Sequence, residues 1–152
     1  MDDLAQALKK FRSFTLPAGI PSAEAGERKR ILVERTGEWE LLLMIWGPRT
    51  ITPIHDHNDS RCWMRLLAGK LKEEIYSGES PQLLTENHFT DNGSLFIEDE
   101  RGFHRLRNDN ESVSVSLHLY TKPLITSRFF DEEKKAWFIS TLKTDGALNE
   151  FI

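Results

Sequence analysis

The clearest alternation of apolar and polar side chains runs from Ser112 to Tyr120. In an extended chain Val113, Val115, Leu117 and Leu119 point one way, and Ser112, Ser114, Ser116, His118 and Tyr120 the other. From Arg30 onward the chain keeps the period of strands. Ile31 to Arg35 and Trp39 to Trp46 read as strands joined through Thr36-Gly37, while Cys62 to Leu67 and Lys70 to Tyr76 read as a hairpin turning at Ala68-Gly69. Ser94 to Glu98 reads as a short strand after an Asp91-Asn92-Gly93 turn. Ala136 to Thr141 reads as a last strand, although the charged run from Asp131 to Lys135 is also a helix opening. A helical period occurs only at the start, where Leu4, Ala5, Ala7, Leu8 and Phe11 share one face ahead of Pro17. Pro21-Ser22 predicts a second helical turn over Ala23 to Glu27. Many short strands between Gly and Asn turns predict an all-β sandwich or barrel with short N-terminal helices. The expected division is a helical segment over 1–28 and a β-barrel over 29–152 in one domain.

Composition narrows the partners more than the fold. The 152 residues suit one core, and a 39% hydrophobic, 29% charged chain forms that core without disulfides. A net charge of -4 argues against a nucleic-acid footprint, which is basic and clustered. The longest apolar run, Leu41 to Trp46, is strand-sized, so no membrane span is expected. Met1-Asp2-Asp3-Leu4 is not the start of a secretory signal, and Cys62 is the only cysteine. A cytoplasmic monomer acting on a small molecule is the expectation.

The candidate chemistry lies in histidines. His55-Asp56-His57 follows Thr52-Pro53-Ile54; if this segment is extended, both imidazoles share a face and Asp56 points away. Two such rings can bind one metal ion with a third ligand from elsewhere. His104, in Gly102-Phe103-His104-Arg105 just after a predicted strand, is the best candidate, and His88 is a weaker one. An isolated His-x-His is more often a surface pair, but here the surrounding spacing changes the balance.

That spacing resembles the two motifs of the cupin superfamily. Gly47, His55, His57 and Gly69 match the first motif, with Cys62 where the usual acid stands; Gly93, Asp99, His104 and Asn108 match the second. Three neutral imidazoles leave a divalent ion its full charge, which favours an anionic substrate donor such as a thiolate.

From Trp39 to about Phe130 the chain resembles the cysteine dioxygenase family. The likeness is carried by Ile54-His55-Asp56-His57, Cys62-Trp63-Met64, Leu67-Ala68-Gly69-Lys70-Leu71-Lys72-Glu73, Gly102-Phe103-His104-Arg105 and Ser116-Leu117-His118-Leu119-Tyr120. The resemblance implies a cupin β-barrel, Fe(II) on His55, His57 and His104, and dioxygenation of L-cysteine to cysteine sulfinic acid. It also implies a catalytic Tyr120 with His118 and Ser116 behind it, and a Cys62–Tyr120 thioether in some members. Arg30 matches the arginine that holds the substrate carboxylate, with Arg28 and Lys29 as neighbouring alternatives. Two departures stand out: Thr121-Lys122 replaces the usual Ser-Pro after the tyrosine, and Arg28 replaces a tyrosine two positions before the carboxylate-binding arginine. Another small thiol such as 3-mercaptopropionate, a non-catalytic metal-binding sensor, and a zinc or nickel isomerase are the competing expectations. Trp46, Trp63 and Met64 are expected as apolar lining.

Overall fold

The computed structural model describes residues 3–90, 94–97 and 102–152. Among the described residues one helix, α1 (Asp3–Ser13), precedes eleven strands. These are β1 (Arg28–Arg35), β2 (Trp39–Trp46), β3 (Thr50–Ile51), β4 (Arg61–Ala68), β5 (Lys70–Ser77) and β6 (Gln82–Thr90). They continue as β7 (Ser94–Ile97), β8 (Phe103–Asn108), β9 (Ser114–Thr121), β10 (Thr126–Asp131) and β11 (Ala136–Thr141). Two antiparallel sheets are ordered β1-β2-β9-β4-β7 and β3-β8-β5-β6, and β10 and β11 form a separate hairpin. The Asp91-Asn92-Gly93 turn, the strand end at Glu98 and the motif position Asp99 lie outside the described residues.

The larger sheet is buried on both faces, which explains why β2 reads as an unbroken apolar run rather than an alternating one. Its outer face carries Ile31, Leu41, Leu43, Ile45, Val115, Leu117 and Leu119, which pack with Ala7 and Phe11 of α1. The helix end is fixed from the sheet: Arg65 of β4 donates to the carbonyls of Phe11 at 2.8 Å and Arg12 at 2.6 Å, and to that of Phe14. Those last-turn carbonyls have no partner within the helix itself. The inner face carries Met44, Trp46, Met64 and Leu66, and around Tyr120 also Leu42, Cys62 and Leu124.

The structure corrects several sequence expectations. Residues 21–27 form no helix; a single turn closes from Glu27 N to Glu24 O at 2.9 Å, and Gly26 leaves it with φ +76°. So short a segment cannot repay the cost of helix nucleation. There is accordingly one N-terminal helix. Nor do β4 and β5 form a hairpin. β4 pairs with β7 and β9, β5 with β6 and β8, and the chain changes sheet at Gly69. Gly69 has φ +81°, and a Cβ there would lie 2.4 Å from Ser114 Oγ, so glycine is needed for both reasons. His104 follows β7, as expected, and itself lies within a further strand, β8. β3, β6, β8 and β10 carry too little apolar rhythm to be read locally. The strand assigned over Ala136 to Thr141 is present with those bounds.

Candidate metal centre

The segment from Thr52 to His57 is extended because it is held on both sides. On one side Thr52 N donates to Leu106 O at 2.9 Å, His55 N to His104 O at 2.9 Å, and His104 N to His55 O at 3.0 Å. On the other, Asp56 N donates to Arg128 O at 3.1 Å and Phe130 N to Ile54 O at 2.9 Å. Asp56, pointing away from the histidines, accepts from Arg128 N at 3.0 Å and Asn58 N at 3.2 Å. Its carboxylate thus fastens the loop to β10.

This clamp brings His55, His57 and His104 together, with one ligating atom from each lying within 4.8 Å of the others. The nitrogens facing the centre can be assigned from the bonds behind them. His55 Nδ1 lies 2.7 Å from Pro53 O, and His104 Nδ1 lies 2.7 Å from Glu73 Oε2. A carbonyl and a carboxylate only accept, so both Nδ1 atoms carry hydrogen and both Nε2 atoms present lone pairs. His104 Nε2 then faces His57 Nε2 at 3.2 Å. With its Nε2 also unprotonated, His57 completes three converging lone pairs, a donor set that fits a metal ion bound to three neutral imidazoles. Burial, with His104 and His57 next in effect, pushes the His55 pKa well below its ordinary value. Among the expected alternatives, His88 is exposed on β6 beside Glu86 and takes no part in the cluster.

The cavity above these rings has an empty volume of about 510 Å³ counting its mouth. Met44, Trp46, Leu106, Leu124, Phe129 and Leu142 give it apolar walls, and Arg28, Arg30, His118 and Tyr120 also face it. Lys29, on the opposite face of β1, instead donates to Ser22 O at 2.8 Å. Arg30 donates to Lys143 O at 3.0 Å, and its Nη2 lies 3.9 Å from Glu40 Oε1. That Nη2 is buried and makes no hydrogen bond among the described residues.

Ser114, Ser116, His118 and Tyr120, which an isolated strand would turn to water, are all buried. On the inner face of β9 the last three form a directed chain. Trp46 Nε1 donates to Ser116 Oγ at 2.8 Å, and Ser116 Oγ lies 2.7 Å from His118 Nε2. The indole can only donate, and the sole remaining partner of the serine hydroxyl among the described residues is His118. Ser116 therefore donates to Nε2, and the hydrogen of the neutral ring sits on Nδ1. His118 Nδ1 lies 3.5 Å from Tyr120 Oη and 3.9 Å from Cys62 Sγ. Burial, then the neighbouring His57 and Arg30 charges, lowers the His118 pKa to about 3. Burial also raises the pKa of Tyr120 and of the Cys62 thiol, so both stay protonated. β4 sets Cys62 directly opposite Tyr120.

Three participants were missed as functional by sequence reasoning. From sequence Trp46 reads as lining, Glu73 lies in a matched segment with no role of its own, and Glu40 gives only a faint signal. Glu40 is fully buried, accepting from Arg35 Nε at 2.7 Å and Leu124 N at 3.1 Å. A charged residue next to an apolar run is the only hint the sequence offers of it.

A model of the cysteine dioxygenase type I family matches residues 22–133. Curated relatives include cysteine dioxygenase type 1 of Danio rerio, 32% identical over 111 residues, covering 68% of this chain and 55% of that protein. The Rattus norvegicus cysteine dioxygenase type 1 is 33% identical over 110 residues, with the same coverages of 68% and 55%. The chain thus spans about half the length of the curated relatives it matches. Among solved structures, a double-stranded β-helix protein from Klebsiella pneumoniae superposes with a TM-score of 0.57 at 12% identity, over 87% of this chain and 98% of that one. A Bacillus halodurans protein does so with a TM-score of 0.58 at 15% identity, over 74% and 83%. These likenesses establish the expected cupin barrel.

Proposed function

Because the chain belongs to the cysteine dioxygenase type I family, we propose that it is a thiol dioxygenase that binds Fe(II) through His55, His57 and His104. In this reading it oxidises L-cysteine to cysteine sulfinic acid within the reducing cytoplasm. Dioxygen is the oxidant; both its atoms end on the sulfur, and the thiol proton is released. The observation that carries this reading is the convergence, on one cavity, of a three-imidazole donor set with the buried Ser116–His118–Tyr120 chain.

The bound iron would supply the redox chemistry and a positive charge that stabilises a thiolate. The chain's own residues do the positioning. Arg30 offers the substrate carboxylate its buried Nη2, which makes no hydrogen bond among the described residues. Trp46 and Ser116 hold His118 with its hydrogen on Nδ1, directed at Tyr120 Oη. With that oxygen accepting, the tyrosine hydroxyl hydrogen is left to donate to Cys62 or into the cavity. His118 stays neutral at physiological pH, so the chain keeps one polarity. The apolar walls limit water around the reacting sulfur.

Cys62 and Tyr120 are the pair for a thioether. Its formation removes the thiol hydrogen and one ring hydrogen, with dioxygen as the oxidant. Buried contact between the two side chains supports it.

Anaerobic loading with Fe(II), followed by oxygen and L-cysteine, tests the whole reading. Oxygen uptake matched by sulfinate in the product is expected. Iron retention without oxygen uptake on any thiol would instead identify a metal-binding sensor. Intact mass before and after turnover tests the crosslink, and an unchanged mass rejects it.

A further inference from the structure

Where the resembling family has a tyrosine, β1 presents a second arginine to the cavity. Arg28 and Arg30 are two residues apart on one strand and both line the pocket above the histidines. Their surroundings differ. Arg30 is steadied by Lys143 O and by Glu40, a carboxylate that it shares with Arg35. The Arg28 side chain makes no hydrogen bond or ion pair among the described residues; its guanidinium lies 6.0 Å from the centre of the Trp46 ring.

Of the acids nearby, Glu40 is committed to Arg35 and to Leu124 N, and Asp145, which accepts from Arg30 N at 2.8 Å, attracts Arg28 through space less than Arg30 repels it. Both guanidinium groups and the metal-binding histidines thus face one small cavity among apolar walls. Partial loss of hydration and repulsion from Arg30 already disfavour the charge on Arg28, an arrangement that a bound anion would relieve. Two arginine forks recognise two carboxylates. Cysteine brings only one, matched by Arg30, and leaves Arg28 without a substrate anion.

We propose that Arg28 is a second carboxylate-recognition residue, and that the preferred substrates of this site are small thiols bearing two carboxylates. The proposal rests on the thiol dioxygenase reading for its chemistry, but the arginine pairing can be measured without turnover. Mercaptosuccinate and 3-mercaptopropionate differ by one carboxylate and form the critical comparison, with L-cysteine as a third probe. Calorimetric titration of the Fe(II)-loaded protein without oxygen reads affinity, and kcat/KM for sulfinate formation reads turnover.

Mercaptosuccinate is expected to bind at least about tenfold more tightly than either monocarboxylate, as befits one added charge-assisted hydrogen-bonded pair. In Arg28→Gln this ratio should collapse toward one, and in Arg28→Lys it should be partly restored. Circular dichroism of both variants guards against misfolding, and the lysine variant decides the question if the glutamine one fails to fold. Equal affinities in the wild type, or a preference that survives Arg28→Gln, overturns the proposal. If no thiol is oxidised but the affinity ratio holds, the dioxygenase reading fails while the second carboxylate site stands.

Discussion

Glu73 offers the sharpest test of how the centre holds its metal. It is 1% exposed, its Oε2 accepts from His104 Nδ1 at 2.7 Å, and its Oε1 accepts from Asn87 Nδ2 at 2.9 Å. The bond to His104 fixes the tautomer and increases the basicity of the ligating Nε2. Loss of such a partner lowers metal affinity about 10–100-fold, equal to about 1.4–2.7 kcal/mol. Glu73→Ala removes both charge and acceptor and should fall at the upper end. Glu73→Gln keeps an acceptor for the ring and loses the charge assistance, which places it near the lower end. Stability of the metal-free protein should fall less than affinity does, because removing a buried carboxylate also removes its desolvation cost. Competition for Fe(II) or Zn(II) against a chromogenic chelator reads the affinity, and thermal melts of the metal-free forms read stability. The order wild type, Gln, Ala is expected. If both variants bind within about twofold of wild type while His104→Ala binds nothing, the tautomer argument is wrong.

Three further outcomes follow from the same geometry. Trp46→Phe removes the donor to Ser116 Oγ, whose own hydrogen goes to the imidazole, and should cost about 1–2 kcal/mol of stability and slow turnover with little change in KM; unaltered kcat would show that the indole merely fills space. His118, with its folded pKa lowered to about 3, stays neutral as pH falls while the unfolded ring takes up a proton from about pH 6.5 downward. Stability is therefore full above that pH and declines by about 1.4 kcal/mol per unit toward pH 3, so urea midpoints of the metal-free His118→Gln variant should fall less steeply with acid than those of the wild type, and parallel slopes would contradict this. At Gly47 a Cβ would lie 1.8 Å from Glu24 O, so Gly47→Ala must displace backbone and is expected to cost more than about 3 kcal/mol; an unchanged melting temperature would mean that the 24–27 turn yields freely.

The sequence by itself determined the elements whose periodicity is locally complete and the residues whose chemistry is rare. The alternation from Ser112 to Tyr120, the apolar run of β2 and the His-x-His pair are legible because neighbouring positions alone specify them. The chain order also identified the glycine at 69, but not what it does. Whether a strand after Gly69 folds back on β4 or crosses to the other sheet depends on β9 and β7 outbidding β5 for β4's hydrogen bonds, and that competition involves residues far away in sequence. The same holds within the site. Nothing local distinguishes Ser116, His118 and Tyr120 from a wet strand face; the opposing sheet buries them and turns them into a directed chain. Glu73, Trp46 and Glu40 acquire their roles only from partners 31, 70 and 84 residues away. Which arginine faces the cavity was likewise decided by the pairing of β1, which directs Arg28 and Arg30 inward together and Lys29 outward. Side-chain identity is encoded one residue at a time, whereas hydration and hydrogen-bond partnership belong to the assembled sheets.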